Sequence, residues 1–136
     1  MADNKPNIAN KCFVCGPDNS SGLKLIFWLD GDICRSEYIP DADHIGYDNL
    51  VHGGLIYSAL DDVMANWLFL RNRFAVTAKC EIRYRAPAKP GEKILLESSH
   101  ISTKRLIVIL QARATRAADK KLIAEATGTF MLSTKK

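Results

Sequence analysis

The sequence predicts an α+β domain: an antiparallel sheet of five to six strands wrapped round one long, largely enclosed helix. Three observations predict it. A single segment, Gly53 to Arg71, carries apolar residues at the three-and-four spacing of a helix. The other ordered stretches are rich in β-branched and apolar residues, as strands are. Turn residues rather than helices join them, which suits antiparallel neighbours and not the alternation that builds a parallel sheet.

The elements follow in order. Residues 1–21 are polar and turn-rich, closing on Gly16, Pro17, Asp18, Asn19 and Ser20, and read as an arm that contributes little core. The single domain then occupies 22–136. Gly22 to Leu29 and Asp32 to Ile39 are the first two strands, flanking Asp30-Gly31, a dipeptide that favours a tight hairpin turn. Pro40 to Val51 lacks a strong period and is read as a loop or a short irregular helix. The helix from Gly53 places Leu55, Ile56, Ala59, Leu60, Val63, Met64, Trp67 and Leu68 round much of its circumference. Only Asp61, Asp62 and Asn66 interrupt it midway, so other structure must enclose it. Val76 to Ala86, Lys93 to Ser102, Leu106 to Thr115 and Leu122 to Leu132 complete the strands, with turns at Pro90-Gly91, Thr103-Lys104 and Ala118-Asp119-Lys120.

Composition bounds the function. The 136 residues suffice for one core, and 47% hydrophobic with 25% charged residues is ordinary globular composition. The net charge of +4 is spread along the chain. No basic run tracks a phosphate backbone, so nucleic acid is not an expected partner, whereas a small polyanionic ligand is compatible. No apolar run approaches the roughly 20 residues of a membrane span. Met1 to Asn10 also lacks the basic start and apolar core of a secretory signal, so a cytoplasmic protein without membrane insertion is expected. Four cysteines then read as reduced thiols, Cys34 and Cys80 as small core residues. Cys12-Phe13-Val14-Cys15-Gly16 has the spacing of half a zinc site, but one pair supplies two of four thiolates, and no metal is expected.

The candidate chemistry gathers at the helix. His52-Gly53-Gly54 precedes it, and paired glycines there can leave backbone N–H groups uncovered at the positive end of the helix dipole, where an oxyanion would be stabilised. The same glycines could serve only a tight entry to the helix. Asp61 lies seven residues after Gly54, close to two turns and so on nearly the same azimuth. A carboxylate midway along an enclosed helix is costly unless hydrogen-bonded or put to use, and burial raises its pKa toward a range useful for proton transfer. Asp62 beside it shows that a paired helix acid is the competing reading. His52 could act as a base, a donor or an anchor for the loop, and Thr77 opens the strand after the helix.

Together these residues resemble the hotdog-fold thioesterases, in particular the PaaI-like branch with relatives that carry a cysteine-containing arm. The family's pattern is His-Gly-Gly, an Asp eight residues after the first Gly, and a Thr or Ser sixteen residues further on. His52-Gly53-Gly54, Asp61 and Thr77 meet it, and Ile82-Arg83-Tyr84-Arg85-Ala86-Pro87-Ala88-Lys89-Pro90-Gly91 looks like the strand and proline turn that follow. The likeness runs from Gly22 to Leu132. It implies hydrolysis of acyl-CoA thioesters, with Asp61 as general base or nucleophile, Gly53 as oxyanion donor, Thr77 orienting water and His52 supporting the glycine turn. Gly54, Asn49, Tyr57, Arg83 and Arg85 are the candidate substrate contacts. Coenzyme A would enter only as part of the substrate, with no other cofactor. In the family the carboxylate and the glycine amide facing one thioester come from different subunits, which implies a homodimer or homotetramer. One departure stands out: many relatives have Asn six residues before the histidine, where this chain has Gly46, with His44 and Asn49 as nearby polar residues. A non-catalytic acyl-CoA-binding module is the alternative, and a hotdog dehydratase a weaker one, because its acid usually sits elsewhere.

Overall fold

The computed structural model describes residues 8–133. Six strands form one antiparallel sheet: β1 (Trp28–Asp30), β2 (Ile33–Tyr38), β3 (Ala75–Tyr84), β4 (Ile94–Lys104), β5 (Ile107–Arg116) and β6 (Leu122–Leu132). Their spatial order is β1-β2-β4-β5-β6-β3, which puts β3 at one edge. The helix α1 (Gly53–Phe69) packs on a single face of this sheet. The predicted α+β wrap is the observed architecture.

The helix is enclosed because its apolar residues cover more than one stripe. Ala59, Leu60, Val63 and Met64 have no exposed surface, and they meet Leu110, Ala114, Ile123 and Phe130 from the sheet, likewise fully covered. Burying side chains of this size is the main stabilising term, about 1.5–3 kcal/mol for each large aliphatic or aromatic one. Gly128 permits the close approach: a Cβ there would stand 2.7 Å from the Phe130 ring and 3.1 Å from the end of Met64. Ser98 donates its hydroxyl to the Val63 carbonyl at 2.6 Å, so a buried polar group on β4 is satisfied by the helix.

Three expectations are corrected. The first strand spans only Trp28–Asp30, because Leu23 and Leu25 donate instead to the carbonyls of Phe13 and Val14, both at 2.8 Å, and Lys24 between them takes φ 56°. The same pairing draws the arm inward, where Val14 joins the core at 7% exposure although little core was expected there. Thr103 and Lys104 belong to β4, and the turn falls at Arg105-Leu106, with Arg105 at φ 58°. Of the two cysteines expected inside, Cys34 is fully buried, and Cys80 is partly buried against the core.

Candidate active site

His52 begins the helix. Its backbone is extended, φ −62° and ψ 129°, and its Nδ1 accepts the Gly54 N–H at 2.8 Å, so the imidazole serves as an N-cap. That contact consumes one of the two glycine amides. The Gly53 N–H meets no acceptor among the described residues and remains open at the positive end of the helix. On its other side Gly53 offers its carbonyl to the Tyr84 hydroxyl at 2.7 Å, which ties the helix start to β3.

Asp61 lies on the face of the helix turned toward β3, where the Thr77 hydroxyl donates to its Oδ1 at 2.8 Å. Burial raises its pKa, and the Thr77 hydrogen bond, which favours the charged form, opposes that rise. Thr77 reaches the helix because β3 carries a bulge. Thr77 opposes Phe130 and Lys79 opposes Thr129, leaving Ala78 as an extra residue. Beyond it Cys80, Ile82 and Tyr84 pair with Gly128, Ala126 and Ala124, residues of the buried face of β6. Without the bulge, strict alternation would turn Thr77 outward.

Tyr57 stands one turn before Asp61 and donates to the Cys80 carbonyl at 3.3 Å, closing the gap between helix and strand. Asn49 is exposed on the loop before the helix at φ 62°. Arg83 and Arg85 alternate onto the opposite face of the sheet from Asp61. There they line a groove of ≈ 400 Å³ with Glu81, Gln111, Arg113 and Glu125, and Arg85 pairs with Glu125. Sequence reasoning thus grouped residues that the strand separates. Near the polar gap left by Gly46, the His44 Nδ1 accepts from the Asp41 N–H at 3.2 Å and faces the Tyr38 hydroxyl at 3.0 Å.

Asp62 is turned away from Thr77 toward the arm. The Cys12 Sγ lies 3.9 Å from each of its carboxylate oxygens, and the Asn66 amide donates to its Oδ2 at 3.2 Å. Burial raises the Asp62 pKa. The sequence reading treated Asp62 only as a foil for Asp61, and the Cys12-x-x-Cys15 spacing was the one signal that could have drawn notice to its surroundings.

A six-stranded antiparallel sheet wrapped round one helix is the hotdog framework. The chain belongs to the Thioesterase superfamily, whose sequence pattern matches residues 48–123, more than half of it. An Archaeoglobus fulgidus protein named "Putative esterase" is 28% identical over 95 residues, covering 70% of this chain and 61% of the relative's length. Among solved structures, zebra fish thioesterase superfamily member 2 superposes with a TM-score of 0.77 at 21% identity, over 96% of this chain and all of that one. A Streptococcus mutans protein bound to acetyl-CoA gives 0.74 at 19% identity, over 80% of this chain and 88% of that one. The Escherichia coli PaaI protein also gives 0.74, at 16% identity, over 80% and 83% respectively. At such identities these superpositions establish the shared fold. Among the described residues no helix is long and apolar enough to cross a membrane.

Proposed function

We propose that the protein hydrolyses acyl-CoA thioesters to the free acid and coenzyme A, in the cytoplasm, as a relative of the PaaI-like branch. The observation that carries this reading is the 2.8 Å contact between Thr77 and Asp61 on the enclosed helix. With Oδ1 held by Thr77, Oδ2 is the oxygen that can take a proton from water. The Thr77 oxygen keeps lone pairs with which to receive the same water. Water then attacks the thioester carbon, the carbonyl oxygen takes up negative charge beside a Gly53 N–H, and the C–S bond breaks to release the thiolate of coenzyme A. Direct attack by Asp61 is the variant in which the acid forms through an anhydride. A thiolate is a good leaving group, so a positioned carboxylate and an oxyanion donor suffice without a serine triad.

One helix cannot supply both groups to one carbonyl. Gly53 and Asp61 are eight residues apart, about 12 Å along the axis at 1.5 Å per residue. A second copy resolves the mismatch. The ten-residue strand β3 has a partner on one side only among the described residues, and it exposes Val76 at 68% and Tyr84 at 50%. Antiparallel pairing of two β3 edges about a two-fold axis extends the sheet and reverses the second helix along with its strand. The helix start of one protomer is thereby directed at the middle of the other. A homodimer is the catalytic unit in this reading, and pairing of two dimers gives the tetramer. Coenzyme A recognition draws support from the acetyl-CoA in the S. mutans structure, while Arg83 and Arg85, on the far face of the sheet, are poorly placed to meet its phosphates within one protomer.

Hydrolysis of short, medium, long and aromatic acyl-CoAs, followed by release of free thiol, tests the reading. Turnover of at least one class that Asp61→Asn abolishes is expected. Saturable binding with no turnover of any member would replace the enzyme by a binding module, and a strictly monomeric active species would end the shared-site scheme.

A further inference from the structure

We infer that Cys12, Cys15 and Asp62 hold one divalent metal ion, zinc by the character of the donors, fastening the arm to the helix. Two thiols from the first loop and a carboxylate from fifty residues later converge until one donor atom of each lies within 4.8 Å of the other two. Zinc with bonds of about 2.3 Å to sulfur and about 2.0 Å to oxygen sets its tetrahedral donors about 3.5–3.8 Å apart. The Cys12 Sγ already stands 3.9 Å from the carboxylate oxygens, and all three donors lie within 4.8 Å of one another, so closure draws them together by about an ångström or less.

The surroundings are those of a held site. The Asn66 side-chain amide, 7% exposed, donates to the Asp62 backbone carbonyl at 3.0 Å, to Asp62 Oδ2 at 3.2 Å and toward Cys15 Sγ at 3.9 Å. One residue thus orients two of the three donors from outside, as outer partners of metal ligands do. The loop that presents the thiols closes only with glycine after the second cysteine: a Cβ on Gly16 would lie 2.4–2.6 Å from the Cys12 N, Asn10 O and Cys12 O atoms. Its ends are bound by Gly16 N–H to Cys12 O at 2.8 Å and Asp18 N–H to Asn10 O at 2.9 Å.

Charge points the same way. Among the described residues Asp62 has no ion pair with a cationic side chain, although helix and arm partly bury it. A partly buried carboxylate without a countercharge carries a desolvation cost, and a bound cation offsets it. Two thiolates with one oxygen donor suit zinc and disfavour magnesium and calcium, which take oxygen donors throughout. Water completes the fourth position. Asp62 and Thr77 lie on different sides of the helix, so the ion acts as a staple, and the inference stands whether or not Asp61 hydrolyses thioesters.

The test uses the full chain, purified under reducing conditions, stripped with a chelator and titrated with cobalt and then zinc. One equivalent of cobalt per chain with a thiolate charge-transfer band is expected, and zinc should bleach that band. Alkylation with mass mapping should show Cys12 and Cys15 at least tenfold slower to react with zinc present, and Cys34 and Cys80 unchanged. Cys12→Ser and Cys15→Ser should each lose the band, and Asp62→Asn should weaken cobalt binding at least tenfold. If these variants fail to fold, the parent titration decides alone. No thiolate band in the parent, zinc-independent alkylation, or a Cys12–Cys15 disulfide that persists under the reducing conditions used would each overturn the site.

Discussion

Asp61 and Asp62 are adjacent and chemically identical, yet the helix turns about 100° between them and gives them different neighbours. Asp61 faces the edge strand and has one hydroxyl, Thr77, at 2.8 Å. Asp62 faces the arm and has two thiols and an amide around it. Burial raises the pKa of both. Enclosure therefore does not separate the two sites, and their neighbours do. Asp61 looks toward the strand whose far side is open to a second protomer, whereas Asp62 looks into its own chain.

The largest effect should fall on that difference. Replacing a proton-accepting carboxylate by an amide removes about 10²–10⁴-fold in rate where the group acts as base. Asp61→Asn should lower kcat on the best acyl-CoA by at least about a hundredfold, and Asp62→Asn by less than about tenfold. Equal losses in the two variants would break the comparison, because they would mean that both acids serve one reaction.

Next in size is a change on the Asp62 side alone. Alanine at Gly16 forces a methyl group into three backbone atoms, and overpacking of this kind costs about 1–3 kcal/mol. Urea unfolding should show a lowered midpoint for Gly16→Ala with the slope unchanged. Unchanged stability would show that the arm contributes nothing to the fold despite the burial of Val14.

Thr77 sharpens the other side. Thr77→Val keeps the shape and deletes the hydroxyl that holds Asp61 Oδ1, so kcat should fall about tenfold, with Thr77→Ser recovering most of it. A valine variant with full kcat would mean that Asp61 needs no positioning partner.

How much of this was legible depends on which interactions are local. The helix showed itself through spacing alone, predicted over Gly53 to Arg71 and observed over Gly53–Phe69, and the last strand was read to the residue at Leu122–Leu132. Periodicity reports neighbours along the chain, and it served there. It failed where pairing partners are distant. Gly22 to Leu25 have strand-like composition but give their hydrogen bonds to the arm, and Val14 is buried by a segment that no local pattern announces. Thr77 and Asp61 were grouped by family resemblance. The physical reason they can touch, an extra residue at Ala78, leaves no mark that composition can show. Simple alternation from Thr77 would put Arg83 and Arg85 on its own face, and the same extra residue at Ala78 is what turns them to the other. The Asp62 cluster forms only when the chain folds back on itself, and its two halves, fifty residues apart, carry no signal separately.

The smallest effect should come from Tyr84, which belongs to the Asp61 side without reaching Asp61. Its hydroxyl donates to the Gly53 carbonyl at 2.7 Å, and its ring lies 3.4 Å from where a Gly53 Cβ would stand. Tyr84→Phe keeps the ring and loses one partly exposed hydrogen bond, worth about 0.5–1.5 kcal/mol in stability. The first helical residue then loses its tie to β3 while the His52 cap on Gly54 remains. If the Gly53 N–H is the oxyanion donor at the partner's Asp61, loosening Gly53 through its carbonyl should lower kcat about two- to fivefold, with little change in KM, because the donor matters most when charge develops. A loss as large as that of Asp61→Asn would instead place the Tyr84 hydroxyl itself on the substrate, and the catalytic side of the helix would then extend from its middle to its start.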